Sequence, residues 1–261
     1  MIKRFFSQAW LGAKRRQGGL GPAEFLAFRV GVSITTLMMY VLIAQYTTGG
    51  EADLTSWVIG NAFALCVFEC VFNIGGTFNQ ERFQGILKIV VVSPTSKLAV
   101  IMYNGVYALL TASVTIAAAF IAGGLIFGVP FGNLHIGMFV LAILAAAFAC
   151  VGLGLLLAVF ALITDSMFLM LNALAMLLII FSGANFPVSQ LPVFAQWIAH
   201  AFPLYRSVAA ANMAMGGSYS AEFGRLLLGE IMLGIVFILA AFALIKVIER
   251  ISVRKATLDM F

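Results

Sequence analysis

Two glutamates stand inside long apolar stretches of the chain, where a carboxylate could carry a proton or bind a coupling ion. Glu69 lies in FALCVFECVFNIGG and Glu230 lies in LLLGEIMLGIVF. A charge at the centre of a lipid bilayer costs about 3 kcal/mol, so such a side chain normally faces the protein interior or a water-filled path. Each glutamate therefore has two interpretations, a site on a transport route or a structural hydrogen bond. The second is stronger for Glu230, which is close to the end of its apolar stretch.

Residue patterns that would indicate an enzyme are missing from the sequence. It has no Gly-x-x-x-x-Gly-Lys-Ser/Thr phosphate loop, no His-Glu-x-x-His and no Gly-x-Ser-x-Gly. His135 and His200 are far apart, and Cys66 and Cys70 lack further ligands at metal-binding spacing. We therefore predict no catalytic or metal site and no cofactor in this chain. Energy for any transport would have to come from another protein.

A charged segment interrupts the apolar sequence at Asn79–Lys97, which reads NQERFQGILKIVVVSPTSK. It can form a short amphipathic helix with charged groups to one side, and Ser93-Pro94 would end that helix. An ordinary solvated loop is the alternative, but it needs neither an apolar stripe nor a fixed breaker. The apolar stripe consists of Phe83, Ile86, Leu87 and Val90. We call this segment the elbow.

The composition indicates an all-α integral membrane protein. Hydrophobic residues make up 63% of the 261 residues and charged residues 10%, and the mean hydropathy is +1.09. Soluble domains are about a quarter charged, so this excess of apolar residues indicates a lipid environment. A nucleic-acid partner is a poor explanation of the net charge of +5 in so apolar a chain. Continuous apolar stretches of about 20 residues favour helices over a barrel. Six spans are predicted: Phe28–Tyr46, Ser56–Phe78, Leu98–Phe127, Ile136–Ile163, Met167–Phe186 and Leu226–Ile248.

The distribution of basic residues predicts that both termini are cytoplasmic. Of the 15 basic residues, six precede or begin the first span, three lie in the elbow, and four stand at the end of the last span or after it. Arg206 and Arg225 are the two on the other side. Because cytoplasmic segments carry the excess of Lys and Arg, six spans with the elbow inside satisfy the pattern.

Two flanking segments have their own signals. Residues 1–22 combine an apolar helical face with Lys and Arg, which is typical of a helix lying on an anionic membrane surface. A signal or transit peptide is the alternative, but the long apolar run begins too late for one.

Residues 187–212 contain apolar pieces too short to span, separated by prolines. Such pieces predict re-entrant outer helices covered by protein or water. The prolines are Pro187, Pro192 and Pro203.

The elbow and the proline-rich stretch together resemble the permease subunits of bacterial ABC-2 (type V exporter-like) transporters. That family has Glu-Arg-x-x-Gly-Thr-Leu followed by Ser/Thr-Pro, then Ser-Gly-x-x-x-Pro, Leu-Pro and Pro-Leu. Here Ile86 replaces the threonine and Lys88 stands where an acid is common. The resemblance covers nearly the whole chain as a single membrane domain, residues 1–261. The matching residues are Glu81, Arg82, Gly85, Leu87, Ser93 and Pro94 in the elbow, and Ser182, Gly183, Pro187, Leu191, Pro192, Pro203 and Leu204 later.

The resemblance implies a permease in the bacterial cytoplasmic membrane. Two permeases, identical or related, would form a dimer, and a soluble ATPase that binds ATP and Mg would dock on each elbow. The docking residues would be those of the elbow motif together with Lys88. ATP-driven closure would then export a drug, peptide, glycan or lipid-like substrate. Two alternatives remain open: an ion-coupled secondary transporter that uses Glu69 and Glu230, and a membrane anchor or receptor without transport.

Overall fold

The structure is a computed structural model of the protein, and it describes residues 21–51, 53–76, 97–161, 164, 166–217 and 220–255. Within these ranges all regular structure is helical, as predicted. A π-helical segment, Phe68–Gly75, continues the second helix, and a 3₁₀ turn, Val188–Gln190, precedes the sixth. The helices are α1 Pro22–Thr47, α2 Leu54–Val67, α3 Lys97–Phe127, α4 Ile136–Phe160, α5 Met167–Phe181, α6 Val193–Ala201, α7 Tyr205–Met215 and α8 Ala221–Lys255.

Within the part of the chain that the structure describes, five helical segments are long and apolar enough to cross a membrane: α1, α2 with its π-helical continuation, α3, α4 and α8. They correspond to the first four predicted spans and the last one. These helices agree with the predicted helical membrane protein. Residues 79–96 of the elbow lie outside the described part of the chain, as do residues 1–20 of the predicted interfacial helix, and Lys97 begins α3.

The fifth predicted span is shorter than expected. Its helix ends at Phe181 rather than Phe186 and has 15 residues, or roughly 22 Å of rise. The Ser182 hydroxyl donates to the Ile179 carbonyl at 2.9 Å, and the backbone of Gly183 has φ +73°. The side chain and the left-handed residue end the helix together.

The first helix begins earlier than predicted, at Pro22 rather than Phe28. Pro22 can begin α1 because proline is favourable in the first turn of a helix. Gly21 precedes it, and the Gly21 N–H donates to the Glu24 carboxylate at 3.0 Å. The Glu24 carboxylate also interacts favourably with the positive end of the helix dipole.

Helix α4 is the centre of the bundle. It packs against α3, α7, α8 and the π-helical continuation of α2, and most of its residues are buried. Small residues allow the closest approach: a Cβ added at Gly152 would lie 2.7 Å from the carbonyl oxygen of Gly234 on α8. Close backbone packing through small residues is typical of helices in lipid.

Helices α1 and α8 form the outer faces of the bundle. Both expose many large apolar side chains, including Phe28, Leu42, Met232 and Leu239. An apolar surface of this extent would be unfavourable in water. It is therefore suited to contact with lipid or with another membrane protein.

Candidate functional site

A buried carboxylate joins α8 to the proline-rich stretch. The Glu230 side chain is fully buried, and its Oε1 accepts a hydrogen bond from the Leu204 backbone N–H at 2.6 Å. Leu204 is also fully buried and has φ +85°, an unusual value for a residue other than glycine. The carboxylate thus holds a strained backbone residue in place, which agrees with a structural hydrogen bond as the role of Glu230.

Two further polar side chains adjoin this carboxylate. The stem of Arg206 packs against Gly229, where an added Cβ would lie 2.9 Å from Arg206 Cδ. The arginine lies close enough to interact electrostatically with Glu230, and Ser207 lies beside it. Arg206 Nη1, Ser207 Oγ and Glu230 Oε2 are buried atoms without a hydrogen-bond partner in the described structure. We call Leu204, Arg206, Ser207 and Glu230 the Glu230 cluster.

The Glu230 cluster lies well inside the bundle. Glu230 is nine residues beyond Ala221, the first residue of α8, which corresponds to roughly 13 Å along the axis. From Leu204, α7 runs back to the end of the bundle where α2 and α4 begin. There the His135 N–H donates to the Ala214 carbonyl at 3.0 Å. Ser56 Oγ also lies 3.3 Å from Asn212 Oδ1. The chain between α5 and α8 therefore dips inward at Leu204 and returns along α7.

The Ser182–Gly183 turn lies close to this inward segment, because a Cβ added at Gly183 would lie 3.7 Å from Tyr205 Cδ2. The Ala184 N–H donates to Ser182 Oγ at 3.2 Å, which gives the buried hydroxyl a second bond. The turn packs directly on α2, because a Cβ added at Gly60 would lie 2.6 Å from Ala184 Cα. Ser182 and Gly183 therefore shape a turn that fits against a glycine of α2.

The remaining residues of the late motif shape α6 and its ends. Pro187 precedes the 3₁₀ turn, and Pro192 is the N-cap of α6. Gln196 Nε2 donates to the Leu191 carbonyl at 2.8 Å. Pro203 is buried. The structure thus brings Pro203 and Leu204 to the Glu230 cluster, while Pro187, Leu191 and Pro192 order the chain that leads to it.

The other predicted site residues fall outside this description. The elbow residues Glu81, Arg82, Gly85, Leu87, Lys88, Ser93 and Pro94 lie outside the described residues. Glu69 belongs to the π-helical segment Phe68–Gly75, but its side chain is outside the described part. The roles assigned to these residues stay predictions.

Arg206 is the residue that the sequence patterns left without a role. Arg206 and Glu230 have opposite charges and lie in consecutive predicted segments of the chain. Either charge would be unfavourable in the membrane without a partner. The need of each charge for a partner was the signal in the sequence that could have linked Arg206 to Glu230. The proximity of the two side chains depends on how α7 packs on α8, which the sequence does not reveal.

Removing the hydrogen-bond acceptor at residue 230 is expected to destabilise the protein, whereas an amide at this position should largely preserve its stability. Glu230→Leu leaves the Leu204 N–H unbonded, at a cost of about 1–3 kcal/mol. Glu230→Gln keeps an oxygen that can accept this bond. Thermal unfolding in detergent should therefore rank the wild type first, Gln second and Leu last. Glu222→Leu is the control, because Glu222 is exposed on the same helix. Equal stability of the two Glu230 variants would contradict the bond's importance.

Comparison with known protein families identifies the family of this chain. No curated protein matches it, but residues 15–215 match the ABC-2 type transporter family. The match covers α1 to α7 and both motifs, and it agrees with the several apolar helices long enough to span a membrane. This protein belongs to the ABC-2 type transporter family and is a membrane permease of an ABC transporter.

Proposed function

We propose that this chain is the permease subunit of an ATP-driven exporter that moves an amphipathic, lipid-like, drug, peptide or glycan substrate outward. The family match is the observation that carries the proposal. ABC-2 permeases work with a separate ATPase, which would bind ATP and Mg, and with a second permease. The proposed location is the cytoplasmic membrane of a bacterium.

Six crossings fit the packing of α5 even though this helix is short. Near its start, Leu171 Cδ2 would lie 2.9 Å from a Cβ added at Gly75. The turn after its end packs on Gly60. Helix α5 therefore runs antiparallel to α2 and its π-helical continuation between Gly60 and Gly75. This course supports a crossing by α5 and agrees with the proposal that residues 187–212 form re-entrant helices on the outer side.

The same packing supports an elbow on the cytoplasmic side. Helix α2 continues to Gly75, and α3 begins at Lys97. The end of this continuation at Gly75 and the start of α3 at Lys97 therefore lie at the end of the bundle where α1 begins and α8 finishes. That end has the predicted excess of Lys and Arg. We propose that the ATPase docks there on Glu81, Arg82 and the other residues of the elbow motif.

An ion-coupled carrier is less well supported than the ABC permease. Glu230, one of its two proposed ion sites, is fully buried and hydrogen-bonded to the Leu204 backbone, with Arg206 nearby. A carboxylate in this setting is suited to holding two segments together. For Glu69, the second proposed site, a place on a transport route and a structural hydrogen bond both stay predictions.

The composition of the native complex tests the proposal. We would purify the full chain gently from its own cells and identify the soluble proteins present in equal amount. A phosphate-loop ATPase that hydrolyses ATP in the complex is the expected result. A dimer of the intact chain without an ATPase, and with transport driven by an ion gradient, would instead favour the secondary carrier.

A further inference from the structure

Three polar atoms of the Glu230 cluster are buried without a hydrogen bond in the part of the chain that the structure describes. They are Glu230 Oε2, Ser207 Oγ and Arg206 Nη1. Glu230 and Ser207 are both 0% exposed, and Arg206 is partly exposed. Ser207 and Arg206 both interact with the Glu230 carboxylate. The three atoms therefore belong to one group of neighbouring side chains inside the bundle.

These atoms would be unfavourable in the interior if they stayed unbonded. A polar group that loses its hydrogen bonds to water on burial and gains none from the protein lowers stability, and a charged group does so more strongly. Buried polar side-chain atoms in folded proteins nearly always bond to the protein or to an ordered water molecule. Arg206 Nη1 and Ser207 Oγ are not hydrogen-bonded to Glu230 Oε2. A small molecule between them would complete the bonds of all three atoms.

The chemistry of the three atoms selects a neutral molecule that both donates and accepts hydrogen bonds. Arg206 Nη1 only donates, an ionised Glu230 Oε2 only accepts, and Ser207 Oγ can do either. A cation between them would be repelled by the guanidinium group, and an anion would be repelled by the carboxylate. A water molecule can accept from Arg206 and donate to Glu230. Buried waters typically make about three hydrogen bonds, which is the number of atoms that need one here.

We propose that the Glu230 cluster binds one ordered water molecule, which bridges Glu230 Oε2, Ser207 Oγ and Arg206 Nη1. The water joins Arg206 and Glu230 into an ion pair connected through solvent. It thereby links α7 to α8 next to the bond between the Leu204 N–H and Glu230 Oε1. Gly229 contributes by its lack of a side chain, because the Arg206 stem packs directly against it. The water site depends on neither the ATPase nor the exported substrate.

A crystal structure of the full chain grown in lipid, at a resolution that shows ordered water, tests this site. We expect a density peak at about 2.7–3.2 Å from each of the three atoms. Ser182 is the control in the same map, because it is also 0% exposed. Its hydroxyl already bonds within its own turn, to the Ile179 carbonyl and the Ala184 N–H. We therefore expect no peak at Ser182 Oγ.

Two variants test whether the peak depends on the cluster. Ser207→Ala removes one of the three bonds and should lower the peak relative to the other ordered waters of the map. Ser113→Ala removes a hydroxyl that donates to the Leu109 carbonyl within α3, and it should leave the peak unchanged.

Three outcomes would overturn the proposal. The first is a wild-type map that shows ordered water elsewhere but no peak at the cluster. The second is a direct hydrogen bond from Arg206 or Ser207 to Glu230 Oε2 in place of the peak. The third is a peak of the same height in the wild type and in Ser207→Ala, because the water would then not bond to Ser207.

Discussion

Replacing Glu81 with lysine is expected to abolish ATP-driven export while the membrane domain stays folded. Glu81 stands at the start of the predicted elbow helix. A carboxylate there interacts favourably with the helix dipole and can pair with a basic residue of the ATPase. Lysine reverses both interactions. Like charges placed together in an interface cost several kcal/mol, and every 1.4 kcal/mol corresponds to tenfold in affinity. We therefore expect docking to weaken more than tenfold.

The measurement is the amount of ATPase that co-purifies with the variant, together with ATP-dependent export. Glu222→Lys is the matched control, because it makes the same change of charge at an exposed position of α8. That position is predicted to lie on the outer side. The control should keep its ATPase and its export. Export at the wild-type rate in Glu81→Lys would remove the proposed role of the elbow, and equal losses in both variants would indicate a general effect of charge.

The sequence predicted the membrane helices well because their signal is local. A run of about 20 apolar residues needs no knowledge of its neighbours to be recognised. The ends were less predictable, since they depend on individual interactions. Helix α1 extends back to Pro22 because proline and Glu24 suit a first turn. Helix α5 stops at Phe181 because the Ser182 hydroxyl and Gly183 form a turn.

The candidate site was predictable in part. The motif pointed to Ser182, Gly183 and Leu204, but their roles depend on contacts between distant segments. Leu204 is bonded to Glu230, 26 residues later in the chain. The turn at Ala184 rests on Gly60, which no motif singled out. Glycine is frequent in membrane helices for several reasons, so a single glycine in α2 does not reveal which segment it contacts.

Adding one methyl group at Gly60 is expected to destabilise the protein. Gly60 is buried in α2, and the new Cβ would overlap the Ala184 carbonyl group and approach Ala184 Cα to 2.6 Å. Both obstacles are backbone atoms, so no side-chain rotation can relieve them. Forcing extra volume into a packed interior typically costs about 1–3 kcal/mol. The Ser182–Gly183 turn would have to move away from α2, and α6 follows that turn in the chain.

Gly31→Ala supplies a control with the opposite expected sign. Gly31 is exposed in α1, and a Cβ added there meets nothing within 4 Å. Alanine in place of glycine in a helix gains up to about 1 kcal/mol. Thermal unfolding of the purified chain in detergent should therefore give a lower midpoint for Gly60→Ala and an unchanged or higher midpoint for Gly31→Ala. If both variants raise the midpoint alike, helix propensity dominates and α2 does not pack on the Ser182–Gly183 turn. If the difference has the expected sign, that contact holds the outer segment against the bundle.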